Sequence, residues 1–111
     1  MATIKTYTDI SQSKVLAEIL SLESADMGWY YSCNPQSARN QMWAGTKAEN
    51  ADIPCWSLAA LLGVLPNENM LVKTTDGEYY CLAKDVMTKH YDNPLDAVYE
   101  LILKLYELKM L

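Results

Sequence analysis

The first regular run of apolar positions is Val15, Leu16, Ile19 and Leu20, with Leu22 trailing. Residues three and four apart share one helical face, so this spacing predicts a helix of two to three turns, capped by Asp9 or Ser11. Ahead of it, "MATIKTY" alternates weakly and reads as an edge strand or a tail. Ser21, Ser24 and Asp26 weaken the helical pattern and Gly28 closes it. Trp29, Tyr30 and Tyr31 then favour extended backbone, predicting a short strand from Met27 to Cys33 that Asn34-Pro35 breaks.

From Pro35 to Asp52 the pattern fails. The stretch is polar, and Met42 and Trp43 are its only large apolar residues. A long aperiodic segment inside a compact domain is usually functional or mobile, so 34–52 stands apart within an expected single domain, 1–111. A short helix from Ser37 to Trp43 is the one regular element that fits there.

Periodicity returns in "IPCWSLAALLGVLP", Ile53 to Pro66. Ser57 suits an N-cap, and Trp56 and Leu61 then occupy the two positions of a hydrophobic staple. Leu58, Leu61, Leu62 and Leu65 share one helical face, and Pro66 stops the helix. Two turns do not hold in water alone, so this helix requires a packing partner.

A sheet supplies one. "MLVKT" (Met70–Thr74) and "EYYCLAK" (Glu78–Lys84) flank Thr75-Asp76-Gly77, and Asp-Gly between apolar runs signals a hairpin. Tyr79, Cys81 and Ala83 fall on one face of the second strand, and Tyr80, Leu82 and Lys84 on the other. "DVMTKHY" (Asp85–Tyr91) extends the sheet by a third strand. The last element has Asn93 as cap, Pro94 at the first helical position and Asp96 in the first turn. Its apolar face (Leu95, Val98, Leu101, Ile102, Leu105, Leu108) is widened by Tyr99, Leu103, Tyr106 and Met110. Such a helix is covered on two sides or turns part of itself to a partner. The expected class is α+β: a small antiparallel sheet, hairpin or three-stranded, packed against two to three helices, with the C-terminal helix on the sheet.

Composition narrows the function. The net charge is −5 over 111 residues, with no cluster of Lys and Arg. Phosphate contacts supply most nucleic-acid affinity, so nucleic acid is not an expected partner. No apolar run approaches the ~20 residues of a membrane span, and the N-terminus lacks the apolar core of a secretory signal. Cys33, Cys55 and Cys81 are odd in number and far apart, which speaks against a disulfide framework. The expected location is the cytoplasm.

Cys55 is the sharpest chemical candidate. A thiol at a helix N-terminus is acidified by the dipole, and His90 could serve as its base. Yet no glycine-rich oxyanion turn adjoins it, and cysteine is often a small buried hydrophobe. A metal site from Cys33, Cys55, Cys81 and His90 lacks the close ligand pairs of structural zinc. Asp85, Asp92, Asp96 and Glu100 are accounted for by a helix start and a solvated surface. No phosphate-binding or dinucleotide glycine pattern occurs. No catalytic residue, metal or cofactor is therefore expected. The aromatics point elsewhere: eight Tyr, three Trp and no Phe. Tyr and Trp suit half-wet positions and interfaces, so Trp29, Tyr31, Trp43, Tyr99 and Tyr106 are the candidate interaction surface.

Two blocks, "ADIPCWSLAALLGVLPN" and "DNPLDAVYELILKLYELKML", joined by the Tyr-rich hairpin, resemble a group of small proteins of gut bacteria and of their prophages and other mobile elements. The likeness rests on an Ile-Pro-x-Trp-Ser-Leu-x-x-Leu-Leu segment, here Ile53 to Leu62, and on a Pro before a Leu-rich terminal helix. It covers about half the chain and implies neither an activity nor thiol chemistry. The resulting expectation is a non-enzymatic accessory protein of phage or mobile-element type that binds an unidentified protein or itself. The alternatives are a small thiol enzyme using Cys55 and a small-molecule module with a pocket between Trp29, Trp43 and the sheet.

Overall fold

The computed structural model describes residues 5–34, 39–46 and 51–111, and of residues 31–34 and 39–43 the backbone only. The architecture is α+β: three α-helices and two three-stranded antiparallel sheets. The chain, expected as one domain, clusters into two compact units. One is Thr8–Ser57; the other joins Met1–Tyr7 to Leu58–Leu111. Each is closed by its own bond where the chain crosses over. Thr8 N–H donates to the Trp56 carbonyl at 2.9 Å in the first, and Leu58 N–H to the Thr6 carbonyl at 3.0 Å in the second.

In the Thr8–Ser57 unit, α1 (Ile10–Ile19) begins five residues before Val15 because a capping box starts it. The Asp9 carboxylate accepts from Gln12 N–H at 2.7 Å, and the Gln12 side-chain oxygen accepts from Asp9 N–H at 3.1 Å. A single 3-10 turn follows at Leu22–Ser24. The expected strand at "MGWYYSC" is β1 (Met27–Asn34). It is central in the order β2-β1-β3, between β2 (Arg39–Gly45) and β3 (Ile53–Cys55). The helix expected at Ser37–Trp43 is not formed over its described part, residues 39–43. Arg39–Gly45 is extended and pairs with β1 from Asn34↔Arg39 to Gly28↔Gly45. The polar run has no helical face to bury, whereas the β1 edge supplies its backbone groups with partners. Of the 34–52 segment, residues 35–38 and 47–50 lie outside the described residues.

The second unit holds α2 (Leu58–Val64), β4 (Met70–Lys73), β5 (Tyr79–Ala83), β6 (Val86–Met87) and α3 (Pro94–Glu107). Thr75-Asp76-Gly77 makes a three-residue hairpin loop. Thr74 N–H donates to the Glu78 carbonyl (2.8 Å) and Gly77 N–H to the Thr74 carbonyl (3.0 Å). Gly77 has φ +83°, the left-handed position that closes such a loop. The next turn is tighter. Ala83 pairs with Val86 across Lys84-Asp85, whose φ values are +49° and +65°. Two consecutive left-handed residues match the twist of a two-residue hairpin, but neither is glycine, so both are strained.

The Asn93 side-chain oxygen caps α3 by accepting from Asp96 N–H at 2.9 Å. Lys5 Nζ lies 3.0 Å from Asp96 Oδ1, tying the N-terminal stretch to the helix start. Leu95, Val98, Leu101, Ile102 and Leu105 are fully buried. The helix packs on the sheet and also on α2, so it is covered on two sides. Each buried leucine contributes roughly 1.5–3 kcal/mol.

The two turns lead to opposite expected outcomes. Replacing Lys84-Asp85 by Asn-Gly, which tolerate positive φ, raises unfolding stability by about 1 kcal/mol; Gly77→Ala lowers it by about 1 kcal/mol. Urea denaturation of the three chains checks both signs.

Candidate functional site

Register decides what the second sheet displays. Met70 pairs with Leu82, and Leu82 with Met87, so the three side chains form one row across the strands. Val72 pairs with Tyr80, one step along the same face. The opposite face carries Cys81 and Ala83, both fully buried, and α3 packs against β5. The row therefore lies on the outer face. Met70 is 55% exposed and Met87 59%, while Val72, Tyr80 and Leu82 are half-buried.

A bulge completes this face. Thr88 N–H donates to the Cys81 carbonyl at 3.0 Å, and Tyr79 and Tyr91 exchange both backbone bonds at 2.7 and 2.8 Å. Lys89 and His90 thus stand opposite the single residue Tyr80. The extra residue aims the His90 ring at Tyr80, stacked at 5.1 Å between centroids and 17° between planes. His90 Nδ1 is 4.0 Å from Glu78 Oε1, and both side chains are about half exposed. The outcome is an apolar strip, Met70–Leu82–Met87, flanked by Val72, Tyr80 and a stacked histidine.

Cys55 sits in β3, paired with Met27, and is fully buried. Its Sγ donates to the Thr8 carbonyl at 3.4 Å and accepts from Thr8 Oγ1 at 3.5 Å. Burial pushes the thiol above its ordinary value; hydrogen bonds from Thr8 and Ser13 offset this only in part. Thr8 is the centre of the cluster. Its hydroxyl is 2.7 Å from Ser13 Oγ and accepts from Trp56 N–H at 3.1 Å. Its carbonyl also accepts from the Trp29 ring N–H at 3.1 Å. Thr8, Ser13, Cys55 and Trp56 are all fully buried. Trp56 gives its ring N–H to Ser24 Oγ at 2.9 Å. The Asp26 carboxylate takes both the Ser57 N–H, at 2.9 Å, and the Ser57 hydroxyl.

The five residues expected at an interaction surface are placed differently from one another. Trp29 is half-buried and tied to Thr8. Tyr31 and Trp43 lie on neighbouring strands, paired Tyr31↔Met42 and Tyr30↔Trp43, with side chains outside the described residues. Tyr99 is corrected: it is 8% exposed, because α3 is covered on two sides. Tyr106 is 50% exposed and, with Glu107, Lys109 and Leu111, lines an open concavity of about 440 Å³ at the end of α3. Sequence reasoning missed Met70, Met87, Thr8 and Asp26. The hairpin loop held the signal for Met70, since pairing Thr74 with Glu78 brings Met70 opposite Leu82.

Among the described residues, no group of three or more His, Cys, Asp or Glu is placed to hold a metal ion. No helix among them is long and apolar enough to cross a membrane. The chain defines a small α+β protein with an exposed apolar strip. No known protein family, curated protein or solved structure matches it.

Cys81 is likewise buried, and its pKa is pushed up to about 11 from an ordinary value near 9. The native state keeps this thiol protonated while the unfolded chain ionises, so the unfolded state binds fewer protons between pH 9 and 11. Stability should be unaffected by this thiol below pH 9 and fall as pH rises to 11, with Cys55 and Tyr91, also raised, acting in the same sense. Thermal melts from pH 8 to 11 check the slope, and Cys81→Ala should flatten it. For Thr8, replacement by Val keeps the shape and removes the hydroxyl, leaving Trp56 N–H without its acceptor. The expected loss is about 1–3 kcal/mol in urea denaturation.

Proposed function

We propose that this chain is a non-enzymatic accessory protein that binds another protein through the outer face of β4–β5–β6. The observation that carries this reading is the Met70–Leu82–Met87 row, in register and solvent-facing. Single exposed apolar residues are ordinary on any surface. Here they join across three strands, with Val72 and the Tyr80–His90 stack beside them. Methionine suits such a surface, because its unbranched thioether adapts to what it meets. Tyrosine adds apolar area with a polar tip.

The state of Cys55 supports the non-catalytic part. A nucleophilic cysteine needs a thiolate and access for its substrate. Burial opposes both at Cys55. An acidic chain of net charge −5 also suits a protein partner better than a nucleic acid. We place the protein in the cytoplasm and, on the strength of the Ile53–Leu62 segment, among the accessory proteins of phages and mobile elements.

The test compares the wild-type chain with a Met70→Ser/Met87→Ser variant as bait in extract of the native host. Both positions are exposed, so the variant should melt as the wild type does. The wild type should retain a partner that the variant loses. Equal retention by both chains removes the outer face from the reading.

A further inference from the structure

We infer that Met70 and Met87 form a paired oxidation site, at which a hydroperoxide turns the outer strip from apolar to polar and blocks the binding of its protein partner. This rests on the protein-binding reading above and adds its regulation. The two thioethers stand at the ends of one row, each opposite Leu82. Both side chains are more than half exposed. The other methionines with described side chains, Met27 and Met110, are half-buried. Oxidation of a thioether follows access to its sulfur. The two most open of the described sulfurs therefore belong to a single row of three residues. The described thiols compete poorly. Cys55 and Cys81 are fully buried, and burial holds each thiol above its ordinary value. A peroxide attacks the thiolate, so a buried, protonated thiol is slow to react. A thioether has no proton to lose, and its exposure alone sets how readily it is reached.

The step is a two-electron oxygen transfer. The sulfur lone pair attacks one peroxide oxygen, and the S–O bond forms as the O–O bond breaks. The departing oxygen takes a proton and leaves as water, or as an alcohol from an organic peroxide. Sulfur is oxidised by two electrons and the peroxide is reduced by two. The product is a sulfoxide, a polar group on a side chain that was apolar. Opposite residues of paired strands have Cβ atoms ~5 Å apart, so a sulfoxide on each side leaves Leu82 between two polar groups. An apolar partner surface would then bury both oxygens without donors, which costs free energy. The fold itself has no reason to change, because both side chains already reach solvent. The same exposure opens the reverse step to a reductase. A dithiol supplies two electrons and two protons, the oxygen leaves as water, and the dithiol becomes a disulfide.

The full chain is treated with dilute hydrogen peroxide, then with catalase to remove it and dithiothreitol to reverse oxidation at thiols. Peptide mass spectrometry follows the sites. Met70 and Met87 should each gain an oxygen before Met27 and Met110 do. The melting temperature should stay within about 3 °C of the untreated chain. As bait in host extract, the oxidised wild type should retain about tenfold less partner than the untreated chain. Methionine sulfoxide reductases of both stereospecificities should restore it. Met70→Leu/Met87→Leu keeps the strip apolar and has no sulfur there, so it should retain the partner equally before and after peroxide. Oxidation at Met27 or Met110 first, or an equal loss in the leucine variant, overturns the inference. So does an oxidised wild type that keeps its partner in full; if Met70→Ser/Met87→Ser still loses that partner, the protein-binding reading stands without the switch. Equal retention by the untreated wild type and the serine variant removes that reading and the switch together.

Discussion

The two-residue period of β5 decides which side chains this protein keeps and which it displays. Cys81 and Ala83 are small and fully buried, and α3 packs on their strand. Small residues let a helix of leucines approach the sheet closely. Once that face is fixed, Tyr80 and Leu82 have only the other side to occupy, and pairing carries Val72, Met70 and Met87 with them. A slip of one residue would bury the methionines and expose the thiol. The outer strip is thus a consequence of how α3 is seated.

The other unit depends on a polar node. Thr8 satisfies its backbone N–H, its carbonyl and its hydroxyl within one cluster, reaching Trp56, Trp29, Cys55 and Ser13. Each bond contributes modestly, but an unmade one would leave a buried group without a partner. That asymmetry makes the node specific. Cys55 fits it as a weak donor of small volume, which explains a cysteine there without invoking a reaction. Asp26 does comparable work at Ser57 by accepting from both its N–H and its hydroxyl.

Much of this was legible because it is local. Asn93-Pro94 set the start of α3, Asp76-Gly77 set a hairpin, and alternation in "EYYCLAK" sorted its two faces correctly. Asp9 and Ser11 both read as caps, and the capping box between Asp9 and Gln12 decides for Asp9. β2 was missed for a different reason. Arg39–Gly45 owes its extended form to β1 and not to its own residues, so no periodicity announces it. β3 was hidden likewise, since Ile-Pro-Cys reads as the approach to a helix until Met27 stands opposite Cys55. Of the candidate surface, Tyr106 is exposed and Tyr99 is buried, and the exposed methionines Met70 and Met87 left no signal in the aromatic pattern. Their exposure depends on pairing partners distant in sequence.

The strained turn and the displayed strip belong together. A hairpin loop sets register, and the two residues Lys84-Asp85 put Val86 opposite Ala83 and hence Met87 opposite Leu82. A loop longer by one residue would turn Met87 toward the helix side and Val86 outward. The short loop requires positive φ at both of its residues, and neither Lys nor Asp adopts that freely. Glycine would relieve the strain, but it would also let the loop open into other lengths. Lysine and aspartate keep two charges at the end of the strip, where they mark its boundary against solvent. The left-handed backbone at Lys84 and Asp85 is therefore the local cost of holding Met87 on the outer face. The bulge at Lys89-His90 does the same for the histidine stacked on Tyr80. Both irregularities of this sheet act on side chains of one face, and that face is the one that carries the exposed methionines.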